Sequence, residues 1–122
     1  VAENHPFAKR KSISISDFLA QPLISFKPGY YMREYIYDLA RKNGTTPQIL
    51  FETNLFSLVR SLVDEGLGIS TLLNMAVVDS AVKAVSFDPP QYLDLIIAWQ
   101  ANGYLSHANR AFANFLLEKT AP

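Results

Sequence analysis

An open α/β fold, with a mixed but mostly parallel sheet flanked by helices, is the fold class that the sequence predicts. The composition is that of a folded protein, because 49% of the 122 residues are hydrophobic and 18% are charged. Short apolar runs, typical of buried strands, alternate along the chain with segments whose apolar residues recur at helical spacing. Strands that alternate with helices favour β–α–β crossovers, which leave the strands parallel.

The first predicted elements are a short helix and a buried strand. Ser16 is a suitable N-cap for a helix over residues 17–20, and Pro22 ends it because the residue before a proline avoids helical geometry. Leu23–Phe26 is a short apolar run and predicts a buried strand. Pro28 and the glycine that follows it then break the chain.

The next two helices carry apolar stripes. Residues 30–42 predict a helix that ends at Asn43 and Gly44, since glycine adopts the left-handed conformation at a helix end without strain. Residues 48–52 follow as a second strand, and Asn54 is a suitable cap for the clearest helix of the chain. The apolar positions of that helix are Leu55, Leu58, Val59, Leu62 and Val63.

The second half of the chain predicts shorter elements. After a Gly-Leu-Gly turn at residues 66–68, a strand is predicted over residues 68–72 and a short helix over residues 74–80. Another strand is predicted over residues 84–87. Residues 93–99 predict the most apolar strand of the chain.

Charge and cysteine content exclude several functions. The 11 basic and 11 acidic residues cancel, so the chain alone is a poor binder of nucleic acid or anionic lipid. The absence of cysteine excludes a disulfide scaffold, a thiolate metal site and a cysteine nucleophile. No apolar run has the length of a membrane span, and the first residues do not resemble a signal peptide. We therefore expect a cytoplasmic protein with no membrane partner. We also expect this chain, which starts at Val1, to be one piece of a longer protein.

The sequence predicts no enzyme. Its only histidines, His5 and His107, lie far apart, and we expect both at the surface rather than as metal ligands or bases. The sequence contains no nucleophile elbow, no phosphate-binding loop, no zinc-protease motif and no dinucleotide fingerprint. We therefore predict no catalytic residue, no metal site and no cofactor.

A candidate ligand site lies where the first predicted strand leads into a helix, at Ser25, Phe26, Lys27, Gly29 and Tyr30. In open α/β sheets, ligands bind at the carboxyl ends of the strands. The free N–H groups of a helix start, the Ser25 hydroxyl and the Lys27 ammonium all attract an anion. A capped turn with an exposed lysine explains the same residues without a ligand.

Two threonines are weaker candidates. Thr53, followed by Asn54, lies at the second junction of strand and helix, where a plain N-cap is the alternative explanation. Thr71 lies in the strand predicted over residues 68–72.

Several motifs also occur in an order that is typical of one family. The chain reads His-Pro-Phe-Ala at residues 5–8 and Pro-Leu-Ile-Ser-Phe-Lys-Pro-Gly at residues 22–29, and residues 58–69 begin with Leu-Val and end with Glu-Gly-Leu-Gly-Ile. The remaining matches are Arg33, Trp99, Leu105, Ser106, Phe112, Phe115 and Leu116. Over about residues 1–119, this order resembles the second half of the effector-binding region of LysR-type transcriptional regulators. The chain has Leu73-Asn74 and His107 where the family commonly has prolines, which alters helix starts only.

The resemblance implies half of a fold like that of type 2 periplasmic binding proteins. Residues 1–95 resemble the second effector-binding subdomain, and residues 96–122 resemble the strand and helix that return to the first subdomain. Family members bind DNA through an N-terminal winged helix-turn-helix, and this chain contains neither that domain nor the first subdomain. A small effector, often anionic or aromatic, binds in the cleft between the subdomains and controls transcription by shifting them.

The resemblance also implies roles at the candidate site. The Ser25 hydroxyl and the N–H groups of the turn, including that of Gly29, would bind a carboxylate, Lys27 would add positive charge, and Phe26 would contact the apolar body of the effector. A lobe of a solute-binding transport protein remains the alternative, because the fold is shared. The residues upstream of Val1 would distinguish the two functions.

The last predicted helix is capped by Ser106, runs to about residue 119 and has an apolar stripe. The stripe consists of Ala108, Ala111, Phe112, Phe115 and Leu116. Because exposed apolar side chains of this size are costly, we expect the helix to pack on a second copy of the chain, or else on its own sheet. We expect a homodimer, with a tetramer as the alternative for the full-length protein.

Overall fold

The strands form parallel pairs, as the sequence predicts. The computed structural model describes residues 1–77 and 81–120. In this part of the chain, β1 (Ser12–Ser14) pairs with β4 (Ser86–Asp88), and β2 (Leu23–Phe26) pairs with β3 (Ile49–Thr53). Both pairs are parallel, which confirms the α/β class. The strands form two separate two-stranded sheets.

Helices connect these strands. The described helices are α1 (Ile15–Leu19), α2 (Tyr31–Lys42), α3 (Phe56–Asp64) and α4 (His107–Thr120), with single 3-10 turns at Pro6–Lys9 and Asn74–Ala76. The predicted helices over residues 30–42 and from Ser106 onward are confirmed to within one residue. The helix predicted over residues 74–80 shrinks to the turn at Asn74–Ala76, and residues 78–80 lie outside the described part of the chain.

Two predicted helix caps are wrong. Ser14, not Ser16, caps α1, because the Asp17 N–H donates to the Ser14 Oγ over 2.9 Å. Before α3, the N-cap position is Leu55 rather than Asn54, and its N–H donates to the Thr53 Oγ1 over 3.2 Å. In both places the strand that precedes the helix fixes where the helix begins.

The predicted strands of the second half also need correction. Residues 68–72 contribute one parallel bridge, from Ile69 to Leu23, rather than a strand. The strand predicted over residues 84–87 lies at Ser86–Asp88. The strand predicted over residues 93–99 is absent, and this segment has no regular secondary structure.

Strand β2 lies at the centre of the buried core. All four of its residues are buried, as expected for a strand with a neighbour on each side. Leu23 belongs to one cluster and Ile24 and Phe26 to another, since successive side chains point to opposite faces. The first cluster consists of Phe7, Ile13, Phe18, Leu19, Leu23, Ile36, Leu39, Ala40 and Ile69. The second consists of Ile24, Phe26, Val59, Val63 and Val82.

The Gly-Leu-Gly turn brings the chain back beside β2. Gly66 has φ +74°, a conformation that side chains rarely adopt. A Cβ added at Gly68 would lie 2.8 Å from the Pro22 carbonyl oxygen, so glycine permits the close approach that lets Ile69 bridge to Leu23. The predicted turn is confirmed, but it leads from α3 to a single bridge rather than to a strand.

The chain divides into two units, Val1–Gln91 and Tyr92–Pro122. In the second unit, Ser106 precedes α4 and its Oγ accepts a hydrogen bond from the Asn109 N–H over 3.2 Å, so the predicted cap is confirmed. Phe112 and Phe115, two members of the predicted apolar stripe, are 61% and 53% exposed. The homodimer inferred from that stripe stays a prediction, as do the subdomain assignments for residues 1–95 and 96–122.

Candidate functional site

Three chain segments end at the same edge of the fold. In the parallel register of β2 and β3, Phe26 lies opposite Thr53, so both strands end together. Ile69 bridges to Leu23 from the other side of β2, and Thr71 follows Ile69 by two residues. The candidates Ser25, Thr53 and Thr71 therefore lie on β2, on β3 and on the segment that bridges to β2, and their joint role in binding a ligand stays a prediction.

The three hydroxyl groups at this edge are buried. Ser25 is 0%, Thr53 6% and Thr71 7% exposed. The Ser25 Oγ donates to the Phe26 carbonyl over 3.3 Å, and the Thr53 Oγ1 accepts from the Leu55 N–H. Among the described residues, the buried Thr71 Oγ1 has no hydrogen-bond partner, and neither has the Ser70 Oγ beside it. A buried hydroxyl without a partner costs roughly 1–3 kcal/mol, which a ligand that binds it would recover.

The turn between β2 and α2 forms the exposed part of the candidate site. Lys27, Gly29 and Tyr30 are exposed, whereas Phe26 is buried. Gly29 has φ +92°, so glycine is required by the backbone. The Tyr30 ring stacks on Phe26 with ring centroids 5.8 Å apart, and no side chain caps the start of α2 at Tyr30.

A charged network connects this turn to the end of β3. The Glu34 Oε1 accepts from the Gly29 N–H and from the Arg33 Nη1, each over 3.3 Å. The Arg33 Nε donates to the Glu52 Oε1, also over 3.3 Å, and the guanidinium lies 4.1 Å from the centroid of the Tyr37 ring. Burial alone would lower the pKa of Arg33, but the hydrogen bond to Glu52 and the neighbouring negative charges outweigh it and raise that pKa.

Sequence reasoning missed Glu34, Glu52 and Ser70. Glu34 carries a usable signal, because a glutamate in the first turn of a helix commonly reaches back to a free N–H group. Glu52 carries none, since its pairing with Arg33 depends on the register that places β3 beside β2.

The two histidines are not among the segments that form this site. His107 is exposed as predicted, whereas His5 is half-buried and its Nδ1 accepts from the Phe7 N–H over 3.1 Å. Within residues 1–77 and 81–120, no three histidine or acidic side chains come together as a metal-binding group. No helix in the described part of the chain has both the length and the apolar character to cross a membrane.

Comparison with known proteins identifies the family. The family model for the LysR substrate binding domain matches residues 1–121. The chain belongs to this LysR family. It is 29% identical to YybE, an HTH-type transcriptional regulator of Bacillus subtilis, over 119 residues that make up 96% of this chain and 41% of that protein. The chain thus spans less than half the length of this relative.

Solved structures of the LysR family share the fold. The regulatory domain of CcmR from Synechocystis, in complex with 2-PG, matches this LysR domain with a TM-score of 0.77 at 18% identity, over 99% of this chain and 61% of that one. The effector-binding domain of QuiR, in complex with shikimate, matches with a TM-score of 0.65 at 27% identity, over 98% of this chain and 58% of that one.

Proposed function

We propose that this LysR domain binds a small effector at the carboxyl ends of β2, β3 and the segment around Ile69. The single observation that carries the proposal is the Thr71 hydroxyl, which is buried at that edge without a hydrogen-bond partner among the described residues. A hydroxyl left unpaired at the place where α/β sheets bind ligands is explained by a ligand that completes it.

The other residues of the site supply complementary chemistry. The Ser25 hydroxyl donates only a 3.3 Å bond to its neighbouring carbonyl and can turn to the effector. Lys27 is exposed and adds positive charge, and the stacked rings of Phe26 and Tyr30 offer an apolar face. This combination suits an effector with one acidic group and an apolar or aromatic body.

The relatives support effector sensing. CcmR was solved with 2-PG and QuiR with shikimate, and both share the fold of this chain. In the proposed regulator, the effector binds between this subdomain, over residues 1–95, and a first subdomain outside this chain. The C-terminal segment, over residues 96–122, returns toward that first subdomain. An effector that binds one arrangement of the two subdomains more tightly shifts the population toward it.

The proposed regulator binds DNA through a separate winged helix-turn-helix and acts as a homodimer or tetramer without a cofactor. Relatives such as YybE that are transcriptional regulators support the proposal of a regulatory rather than enzymatic role, in the cytoplasm of a bacterium. The alternative, a lobe of a solute-binding transport protein, has no observation of its own in its favour.

The proposal is tested by a thermal-shift screen of small organic acids that includes shikimate and 2-PG, followed by calorimetric titration of any compound that raises Tm. Thr71→Val keeps the shape of the side chain and removes the hydroxyl. It should weaken binding about fivefold, the worth of one hydrogen bond of roughly 1 kcal/mol, without lowering Tm. Thr46→Val, at an exposed position, is the matched control and should change neither quantity.

Lys27→Glu should likewise weaken binding of the same compound more than it lowers Tm, because an exposed side chain contributes little to stability. The proposal fails when no acid binds, or when a bound acid is indifferent to both Thr71→Val and Lys27→Glu.

A further inference from the structure

A carboxylate of the chain itself already occupies the turn of the candidate site. The Glu34 Oε1 lies 3.3 Å from the Gly29 nitrogen, an N–H group of the turn between β2 and α2. The same oxygen lies 3.3 Å from the Arg33 Nη1. One backbone N–H and one guanidinium are the donors that proteins commonly offer to a carboxylate or a phosphate.

We propose that Glu34 is a specificity-determining residue, because its carboxylate competes with the acidic group of the effector for the Gly29 N–H and for Arg33. This inference rests on the proposed function, and it names the part of the site that receives the acid. In this proposal the Glu34 carboxylate accepts the hydrogen bonds that the ligand acid would otherwise accept. An acidic effector binds there by displacing it.

The contacts of Glu34 are of a kind that a ligand can replace. Its side chain is 58% exposed, and both of its hydrogen bonds, at 3.3 Å, are slightly longer than the usual range. Arg33 is only 19% exposed and stays in place without Glu34, because Glu52 and the Tyr37 ring also hold it. The donors are therefore fixed, while the carboxylate that covers them is free to turn away.

The two carboxylates exclude each other. A ligand acid that accepts from the Gly29 N–H comes within a few ångströms of the Glu34 carboxylate, and like charges at that distance repel. Lys27, exposed in the same turn, attracts the ligand acid but forms no ion pair with Glu34 among the described residues. An acid binds only when its contacts with the turn are more favourable than those of the Glu34 carboxylate. Glu34 therefore sets the minimum binding free energy that an anion needs at this turn.

The Gly29 amide signal reports on this contact directly. The chain has five glycines, and only Gly29 follows a proline, so labelling with ¹³C-carbonyl proline and ¹⁵N-glycine identifies its amide in an NMR spectrum. Glu34→Ala should move the Gly29 amide proton upfield, as expected when a hydrogen bond is lost. Glu65→Ala removes one exposed carboxylate at the far end of α3 and should leave that signal unchanged.

Titration with inorganic phosphate then tests the competition. Phosphate should perturb the Gly29 amide at about two- to fivefold lower concentration in Glu34→Ala than in the wild type, the range that one exposed charge contact is worth. Glu34→Gln keeps a hydrogen-bond acceptor without the charge and should show part of this gain. Glu65→Ala should behave as the wild type.

Three results would overturn the inference. The first is a Gly29 amide that does not respond to Glu34→Ala, which means that the contact is absent. The second is equal phosphate affinity in the wild type and Glu34→Ala, which leaves Glu34 as a helix-capping residue only. The third is an equal gain in Glu65→Ala, which reports net charge alone. None of these measurements uses the effector. A negative result here therefore contradicts only the role of Glu34, whereas effector binding that does not change in Thr71→Val contradicts the proposed function.

Discussion

Two segments of similar apolar composition differ in structure, because one forms a buried strand and the other is exposed and irregular. Leu23–Phe26 forms β2, and all four of its residues are buried. Residues 93–99 are just as apolar and predict a strand, yet they have no regular structure, and Ile96 is 84% exposed. The difference lies in the neighbours. β2 has β3 on one side and the Ile69 bridge on the other, whereas residues 93–99 pair with no strand in the described part of the chain.

The comparison teaches that an apolar run specifies a strand only where a partner can satisfy its backbone. Unpaired N–H and C=O groups must remain in water, so a segment without a partner cannot bury its apolar side chains as a strand. The LysR family model covers both segments. Membership of the family therefore does not by itself make residues 93–99 a strand.

The largest expected effect separates the two segments directly. Leu23→Ala removes a fully buried side chain and should lower the free energy of unfolding by about 2–5 kcal/mol. Ile96→Ala, in an exposed segment, should change it by no more than about 0.5 kcal/mol. Urea denaturation followed by far-UV circular dichroism measures both. Equal losses in the two variants would show that residues 93–99 are buried in solution.

A smaller loss of stability is expected from a substitution in the segment that bridges to β2 than from one in β2 itself. Gly68→Ala places a Cβ 2.8 Å from the Pro22 carbonyl oxygen and should cost about 1–3 kcal/mol, because the bridge from Ile69 to Leu23 must shift. In the second unit, Gly103→Ala meets only Gln100 of its own exposed turn and should cost less. The same denaturation experiment compares them, and a larger loss for Gly103→Ala contradicts the prediction.

The smallest expected effect concerns the two histidines. Burial lowers the pKa of His5 below its ordinary 6.5, with a contribution from the charge of the chain terminus. As the pH falls, the unfolded chain therefore binds the proton at a higher pH than the folded chain does. The contribution of His5 to the free energy of unfolding is complete above pH 6.5 and is lost as the pH falls through the lowered pKa. His5→Asn keeps an acceptor for the Phe7 N–H and should reduce the loss of stability between pH 7.5 and about pH 5.

His107→Asn is the matched control in the second unit, where the histidine is exposed. It should leave the pH dependence as in the wild type. Urea denaturation at several pH values checks both variants. A pH dependence that is identical in His5→Asn and in the wild type shows that other groups cause it.

Local patterns in the sequence predict the elements that depend on local physics. Helix α2 is correct to one residue, because its apolar spacing and the Asn43–Gly44 stop are both local features. The cap of α1 is wrong because Ser14 and Ser16 are equally suitable by type. The choice between them is made by the pairing of β1 with β4, whose residues lie about 70 positions later in the chain.

The candidate site divides in the same way. In the observed register Thr53 shares the Phe26 face of the sheet, and Ser25 lies on the other face. The strand ends that carry Ser25, Thr53 and Thr71 can nevertheless be placed at one edge from the sequence, because parallel strands end together whatever their exact register. The network of Arg33 with Glu52 cannot, since a shift of one residue would move the Glu52 side chain to the other face. Sequence patterns thus locate the edge of the fold, and tertiary register decides which charges meet there.

The position of Trp99 has a consequence for following unfolding. It is the only tryptophan of the chain and lies in the second unit, so its fluorescence reports on that unit. Its side chain is 55% exposed, so it is already partly solvated in the folded protein. Four of the six tyrosines, by contrast, lie within residues 30–37, at the start of α2. Tryptophan fluorescence therefore reports on the second unit alone, whereas most of the tyrosine signal comes from the first unit. One denaturation followed at both wavelengths compares the loss of structure in the two units.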